Sequence, residues 1–415
     1  MLKNSLIALQ GTVVAQGLGI LFLTVLTRLY SPETFGLLQL YVSPLMLLTV
    51  LASLRYEFAL LRAKTDGELQ GVLQLCICLN ILFTLVVLAG CATLIALRPS
   101  WIVFPDPFLW LLTIGVLFGG LQQTLHYVFL REQFFAANSI VKILQVAAFG
   151  LGGIAGWFAG LVQFGMIGAD VVARVVAVAA ASFWLFRSKS TIFTTISWAN
   201  ISCAAKRFRE YPLYSVPGGI FSVGIGTAVP IFILMSFGAS VVGQYALMER
   251  TILAPAGMIG QAVSQAFTAQ LSASMIAGEN CRSAFRRVVL VMLALGLAPA
   301  LVLFSTGPRL FAIVFGDQWS LAGEFSQAAS VVFLSSLAMA PVHAALVVTG
   351  HLRQQLTWEI TRFVSVVLTW AVILYFAIPP VRAIALYAGV LTLMNIFFLA
   401  TVRRVLQPNR EIQRS

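Results

Sequence analysis

Charge is scarce in this chain. Aspartate, glutamate, lysine and arginine make up 10% of its 415 residues, 60% are hydrophobic, and mean hydropathy is +0.95. Soluble domains carry about a quarter charged residues, so a soluble globular protein is excluded. Cysteine is also sparse: Cys76, Cys78, Cys91, Cys203 and Cys281. Cys76 and Cys78 are two apart and point in different directions on a helix, so free thiols are expected, with neither a disulfide framework nor a metal site. The single histidines His126 and His343 have no cysteine or acidic partner at ligand spacing, and each is expected to be packed or hydrogen-bonded. There is no nucleophile elbow, phosphate-binding glycine loop, zinc motif or paired-carboxylate motif. A hydrolase or nucleotide-driven pump would need one, or recruit it from a partner; the expectation is a non-enzyme without cofactors. No stretch reads as a soluble domain, so function must reside in the helices.

What the chain does have is apolar runs of about 20 residues along its whole length, the mark of a polytopic helical membrane protein. Twelve spans are predicted, at 6–27, 35–54, 72–97, 108–129, 139–160, 162–185, 213–236, 241–266, 287–306, 326–349, 356–378 and 383–402. The first run lacks a small-residue cleavage site before Arg28 and reads as a span, not a secretory signal. With both termini on the cytoplasmic side, eighteen basic residues fall in inside loops and tails, four outside and four within spans. This is the positive-inside pattern. The net charge of +12 then needs no nucleic acid; it belongs to a face meeting anionic lipid.

A basic stretch, Arg187 to Tyr211, divides the chain near its midpoint and retains Trp198 and Ile201. It reads as a linker containing an amphipathic helix on the inner surface. The expected organisation is therefore a bundle over 1–186, a cytoplasmic linker over 187–212, a second bundle over 213–402 and a cytoplasmic tail over 403–415. Six spans on each side enter the membrane in the same sense, as parallel repeats. Two local echoes agree. At an offset of 207, Tyr30, Gly36 and Leu40 fall on Phe237, Gly243 and Leu247. At an offset of 222, Leu130-Arg131-Glu132-Gln133 falls on Leu352-Arg353-Gln354-Gln355, the extra residues being assigned to a loop over Gly307–Glu324. The first echo covers a tight turn. Ser31 is placed to cap a helix, Pro32 suits its first position, Glu33 favours its positive end, and Tyr30 and Phe35 form a hydrophobic staple.

Charges inside a bilayer cost at least ~2.5–3.5 kcal/mol at its centre, so each needs a reason. Arg174 is the deepest, with Asp170 four residues earlier on the same face. The pair is either a structural tie or the wall of a cavity in which Arg174 meets an anion. Glu249 and Arg250 are adjacent and point ~100° apart, so one cannot simply neutralise the other. Arg250, Gly257, Gln261 and Ser264 share a small polar face that suits helix packing or a water-filled cavity. Lys142, Glu359 and Arg362 lie about a turn from a cytoplasmic end and could snorkel. Gln10, Gly17, Thr24 and Arg28 form a polar face on the first span, expected to point inward. Arg55 and Glu57 read as an interfacial anchor or gate.

The segment RLYSPETFGLLQLYVSPLMLLTVLASLRYEFALLR, Arg28 to Arg62, resembles the N-terminal signature of the Wzx-type polysaccharide-biosynthesis flippases of the multidrug/oligosaccharidyl-lipid/polysaccharide exporter superfamily. FREYPLYSVPGG (Phe208–Gly219), GQYALMERTILAPAGMIGQAVSQAF (Gly243–Phe267) and FGDQWSLAGEF (Phe315–Phe325) are similar to later motifs of that family. The resemblance implies two six-helix bundles around a cavity in the bacterial inner membrane. The implied task is to move undecaprenyl-pyrophosphate-linked oligosaccharide repeat units to the outer leaflet by alternating access, for O-antigen, capsule or exopolysaccharide. The implied partners are that lipid-linked oligosaccharide, membrane lipids, and a polysaccharide polymerase with its chain-length regulator. On charge and depth, Arg174, Arg250, Lys142 and Arg362 are the candidate pyrophosphate cations, with Gln261 beside them. Asp170, Glu249 and Glu359 are candidate coupling or cavity ion-pair groups, and Arg28, Arg55 and Glu57 are gate or interfacial groups.

Two other readings compete. A cation-coupled multidrug exporter of the same fold should have acidic groups dominating its cavity, whereas the spans carry four basic and three acidic residues. A polymerase or ligase acting on the same lipid carrier should carry its catalytic groups on a sizeable external loop. The longest one expected here, Gly307–Glu324, holds only Arg309, Asp317 and Glu324.

Overall fold

A computed structural model of the chain describes residues 2–97, 105–188, 197–276, 281–339, 342 and 352–405. Among them every regular element is helical: α1 (Leu2–Leu29), α2 (Pro32–Ala52), α3 (Asp66–Leu97), α4 (Asp106–Arg131), α5 (Phe135–Phe158), α6 (Gly165–Ser188), α7 (Trp198–Arg207), α8 (Val216–Phe237), α9 (Ala239–Met248), α10 (Ala254–Ile276), α11 (Cys281–Phe315), α12 (Ser320–Ala338), α13 (Leu352–Tyr375) and α14 (Pro380–Val405). Eleven of these are long and apolar enough to cross a membrane. The twelfth span, expected over 241–266, is α9 and α10 joined through a wide turn, Glu249–Leu253. The protein is an all-α polytopic membrane protein with twelve spans, six before α7 and six after it in chain order.

Two wide turns interrupt helices, and both have one cause. In Tyr211–Ser215 the closing N–H, from Val216, bonds back five residues to Tyr211; in Glu249–Leu253, Ala254 bonds to Glu249. Each donor immediately precedes a proline, Pro217 or Pro255. A proline ring crowds the carbonyl four residues back and offers no N–H, so the helix widens by one residue to pass it.

The chain divides into two compact units, residues 1–231 and 232–415. In the first, α1 lies in a seam of small residues on α5. A Cβ on Gly153 would stand 2.8 Å from Leu26, and one on Gly156 would stand 3.0 Å from the Gly165 backbone of α6. Where side chains are this small, helix backbones approach closely and dispersion replaces the missing hydrophobic drive in lipid. The Tyr30 hydroxyl donates to Gly153 O at 2.7 Å, and Ser31 caps α2 by accepting from Thr34 N at 3.4 Å. Tyr30 and Phe35 are both buried, as a staple requires. The segment α7 is amphipathic: Ile201 and Ala204 are buried and Trp198 is 74% exposed. It is fixed beside α3 by Ser197 N donating to Gln74 Oε1 at 3.3 Å and by an Arg207–Glu68 ion pair, while Ala205 O accepts from the Tyr56 hydroxyl at 3.0 Å.

In the second unit, α11 and α12 touch backbone to backbone, a Cβ on Gly323 standing 2.6 Å from Gly307 O. Gln244 secures their turn: its Nε2 donates to Gln318 O at 2.6 Å and its Oε1 accepts from Ala322 N at 2.9 Å. A core forms from Phe267, Phe285, Val289, Trp358 and Phe398, the last two rings stacked 4.1 Å apart.

Two expectations change. Residues 307–324 are not a loop, because α11 continues to Phe315 through Pro299 and Pro308, leaving Gly316–Trp319 before α12. Inside a membrane-spanning bundle a proline can be accommodated without ending the helix. On α1 the contact with α5 runs through Gly11 against Ser139 and Leu26 against Gly153, while Gln10, Gly17 and Arg28 of the polar face are exposed. The two echoes also part company. Ser31 and Gly238, 207 residues apart, are both N-caps of the following helix, whereas Leu130–Gln133 closes α4 and Leu352–Gln355 is helical at the start of α13. His343 lies outside the described residues.

Candidate functional site

The polar interior of the first unit is made possible by glycines on α4. Gly115 and Gly119, one turn apart, leave no side chain where α4 faces α2 and α6. The space over Gly115 is filled by the Tyr41 hydroxyl, and a Cβ on Gly119 would lie 3.2 Å from Thr49 Oγ1 and 3.4 Å from Arg174 Nη1. Arg174 is 9% exposed and is held by its helix neighbour: Nε donates to Asp170 Oδ2 at 2.6 Å and Nη2 to Oδ1 at 3.3 Å. The two-pronged grip that arginine offers an anion is therefore already engaged by Asp170, and Nη1 is the nitrogen nearest Gly119. Arg174 is thus tied to Asp170 and also lines a cavity.

That cavity measures about 340 Å³ and lies among α2, α4, α5 and α6. Its described lining includes Arg174 and Lys142, four carboxamides (Gln122, Gln123, Asn138, Gln145), Thr49 and His126, with no carboxylate. Gln122 Nε2 donates to Gln145 Oε1 at 2.6 Å, and His126 Nδ1 is 2.9 Å from Asn138 Oδ1. So Lys142, which the sequence allowed to snorkel, shares a wall with Arg174, and His126 is hydrogen-bonded as expected. Sequence reasoning missed the carboxamides and Tyr41. A signal was present: Asn138, Lys142 and Gln145 are spaced i, i+4, i+7 on α5, and Gln122 and His126 are spaced i, i+4 on α4, so each set shares one face.

Behind the cavity sits a carboxyl group. Glu57 is 0% exposed; it accepts from Gln123 Nε2 at 2.7 Å and from Ser53 Oγ, and Arg55 Nη1 lies 3.8 Å away. Burial pushes its pKa up, against the lowering effect of these partners. The chain bends sharply to bring it there: Leu54 and Arg55 have φ of 48° and 62°, in the left-handed region. Arg55 stacks over Phe58 at 5.1 Å and abuts Gly219 of α8. Arg28 stands apart from this group, exposed at the end of α1.

The remaining candidates lie in the second unit. Glu249 and Arg250 occupy the wide turn ahead of Pro255, and both are half-buried. Glu249 and Arg362 lie near the neighbouring buried phenols of Tyr245 and Tyr387. Glu359 Oε2 is 4.0 Å from Arg362 Nη1. Gln261 and Gly257 are exposed, so the stripe below Arg250 is not a helix-packing seam.

The sequence profile of a family described as polysaccharide biosynthesis protein matches residues 1–268. No curated protein matches the chain. Among solved structures, the lipid II flippase MurJ in an inward closed conformation superposes with a TM-score of 0.71 at 13% identity, covering 97% of this chain and 87% of that one. A multidrug resistance MATE family transporter of the MOP superfamily, inward-facing, gives 0.69 at 14% identity, covering 96% and 98%. At these identities the likeness is one of fold.

Proposed function

Because this chain belongs to the polysaccharide biosynthesis protein family, we propose that it is a flippase that carries undecaprenyl-pyrophosphate-linked oligosaccharide repeat units from the cytoplasmic to the outer leaflet of a bacterial inner membrane. The product would feed O-antigen, capsule or exopolysaccharide assembly, and both termini would be cytoplasmic. The observation that carries the reading is the cavity of the first unit, where two cations and four carboxamides line a wall with no carboxylate among the described residues. Carbohydrate hydroxyls and phosphate oxygens would lose their hydrogen bonds to water in hydrocarbon, at several kcal/mol per unsatisfied group. Carboxamides both donate and accept, as sugar hydroxyls do. Arg174 and Lys142 offer charge to a diphosphate, Arg174 through Nη1 because Asp170 holds its other two nitrogens. At about 340 Å³ the cavity suits one part of such a head group, a diphosphate or a single sugar, and not a whole repeat unit. The lipid tail stays in the bilayer throughout.

The test is made in the native host with the gene deleted, using a periplasm-restricted probe of lipid-linked oligosaccharide. Accumulation of single repeat units on the cytoplasmic side, with loss of surface polysaccharide, is expected. Arg174→Ala and Lys142→Ala should insert normally. A charge-assisted hydrogen bond is worth ~1.5–3 kcal/mol, so each should lower export about tenfold to a hundredfold. Normal surface polysaccharide with raised sensitivity to cationic drugs would replace this reading with a drug exporter. Repeat units that reach the outer leaflet but are never joined would replace it with a polymerase or ligase.

A further inference from the structure

The second unit has a groove that plays no part in the site above. In this unit α11 and α14 both pack on α12. Between α11 and α14 lies an open groove of about 1150 Å³. Its floor is solid hydrophobic core, since Phe285 and Val289 belong to the cluster that includes Phe398 and Trp358. Its walls are apolar over most of their length, through Leu290, Val291 and Ala294 on α11 and Ile396 on α14. One end differs: Ser283, Arg286 and Arg287 stand there on the first turns of α11, all exposed. No acidic residue is among the described lining.

We propose that this groove is a binding site for one anionic phospholipid of the surrounding bilayer, its phosphate at Arg286 and Arg287 and its acyl chains lying along α11 toward Ala294. Charge complementarity sets the headgroup, because both charged lining groups are cations and guanidinium matches phosphate oxygens. Length sets the rest. From Ser283 to Ala294 is about 16 Å at 1.5 Å per residue, about one leaflet of a ~30 Å hydrocarbon core. An apolar floor of this kind stays dry, so hydrocarbon and not water is the natural filling. The proposal does not depend on what the protein transports.

The experiment purifies the full chain from a bilayer containing equal phosphatidylglycerol and phosphatidylcholine and measures retained lipid by native mass spectrometry. Each cation near an anionic lipid contributes ~1 kcal/mol, so two give about a thirtyfold preference for one phosphatidylglycerol per chain. In R286Q/R287Q that preference should vanish, and in Ala294→Trp, which places an indole across the acyl end of the groove and leaves the arginines in place, the amount of retained lipid should fall. A folded second variant keeps the test decisive if the first fails to fold. Equal retention of phosphatidylcholine by the unaltered chain, or undiminished phosphatidylglycerol in either variant, overturns the proposal. Displacement of phosphatidylglycerol by an equal amount of undecaprenyl phosphate also overturns it, by assigning the groove to the lipid carrier.

Discussion

Gly115→Ala tests how the polar interior is built. The new Cβ would meet the Tyr41 hydroxyl inside contact distance, with Tyr41 Cζ at 3.2 Å and Leu45 Cδ1 at 3.3 Å. The tyrosine cannot swing away, since it is 0% exposed and its ring is wedged edge-on against Phe108 at 6.0 Å. Overpacking of this sort costs ~1–3 kcal/mol, which for a unit of about 230 residues lowers the thermal midpoint by about 2–9 °C. Tyr41→Phe alone should cost little, because the hydroxyl faces the Asp170–Arg174 pair without meeting hydrogen-bond geometry among the described residues. In the double variant the worst contact is gone, and the ring carbon and Leu45 Cδ1 remain to be accommodated, each at more than 3 Å. Most of the alanine penalty should therefore be recovered, a coupling of ~1 kcal/mol or more. Thermal unfolding of the four proteins in one detergent measures the cycle. A double variant no more stable than Gly115→Ala would refute the claim that this glycine exists to seat the hydroxyl.

Three other outcomes follow from the same contacts. Glu57 has its pKa raised in the folded protein, so its contribution is present at low pH and lost as pH rises through the folded value. Glu57→Gln should flatten the decline in thermal midpoint with increasing pH, and an unchanged slope would remove Glu57 as its cause. Gly238 has φ of 84° and Ser31 caps at the equivalent turn; Gly238→Ala should cost ~1–2 kcal/mol through backbone strain, and Ser31→Ala ~1 kcal/mol through the lost cap, both read as shifts in thermal midpoint. Gln244→Leu removes the hydrogen bonds to Gln318 O and from Ala322 N together, and at ~0.5–1.5 kcal/mol for each bond lost it should lower the thermal midpoint measurably in the same assay.

The spans were legible because lipid imposes a length and a composition on any helix that crosses it. The turn at Tyr30–Phe35 was legible because capping chemistry is local. The continuation of α11 past residue 306 to Phe315 was not, since Gly307 and Pro308 carry the same signals that end helices in water. Arg174 and Lys142 stood out as charges in apolar runs, but their shared wall depends on α5 and α6 meeting α4, which no spacing along one helix reveals. The carboxamides were overlooked because a neutral amide in a span costs little enough to pass for packing. Glu57 was noticed for its charge and placed at an interface; its burial depends on two left-handed residues, Leu54 and Arg55, that nothing in their identity announces.

The wide turn at Glu249–Leu253 constrains how this gene can change. It holds one residue more than an ordinary helical turn, so everything after it is rotated by about 100° relative to α9. Residues Val242 to Met248 before it are buried, and Gly257 and Gln261 after it are exposed. Substitutions in the turn alter chemistry and leave that rotation alone. Loss of one codon there would restore the ordinary pitch, carry Gln261 round toward the core, and bring apolar neighbours out in its place. Along this stretch the number of residues is itself inherited information, as constrained as their identities.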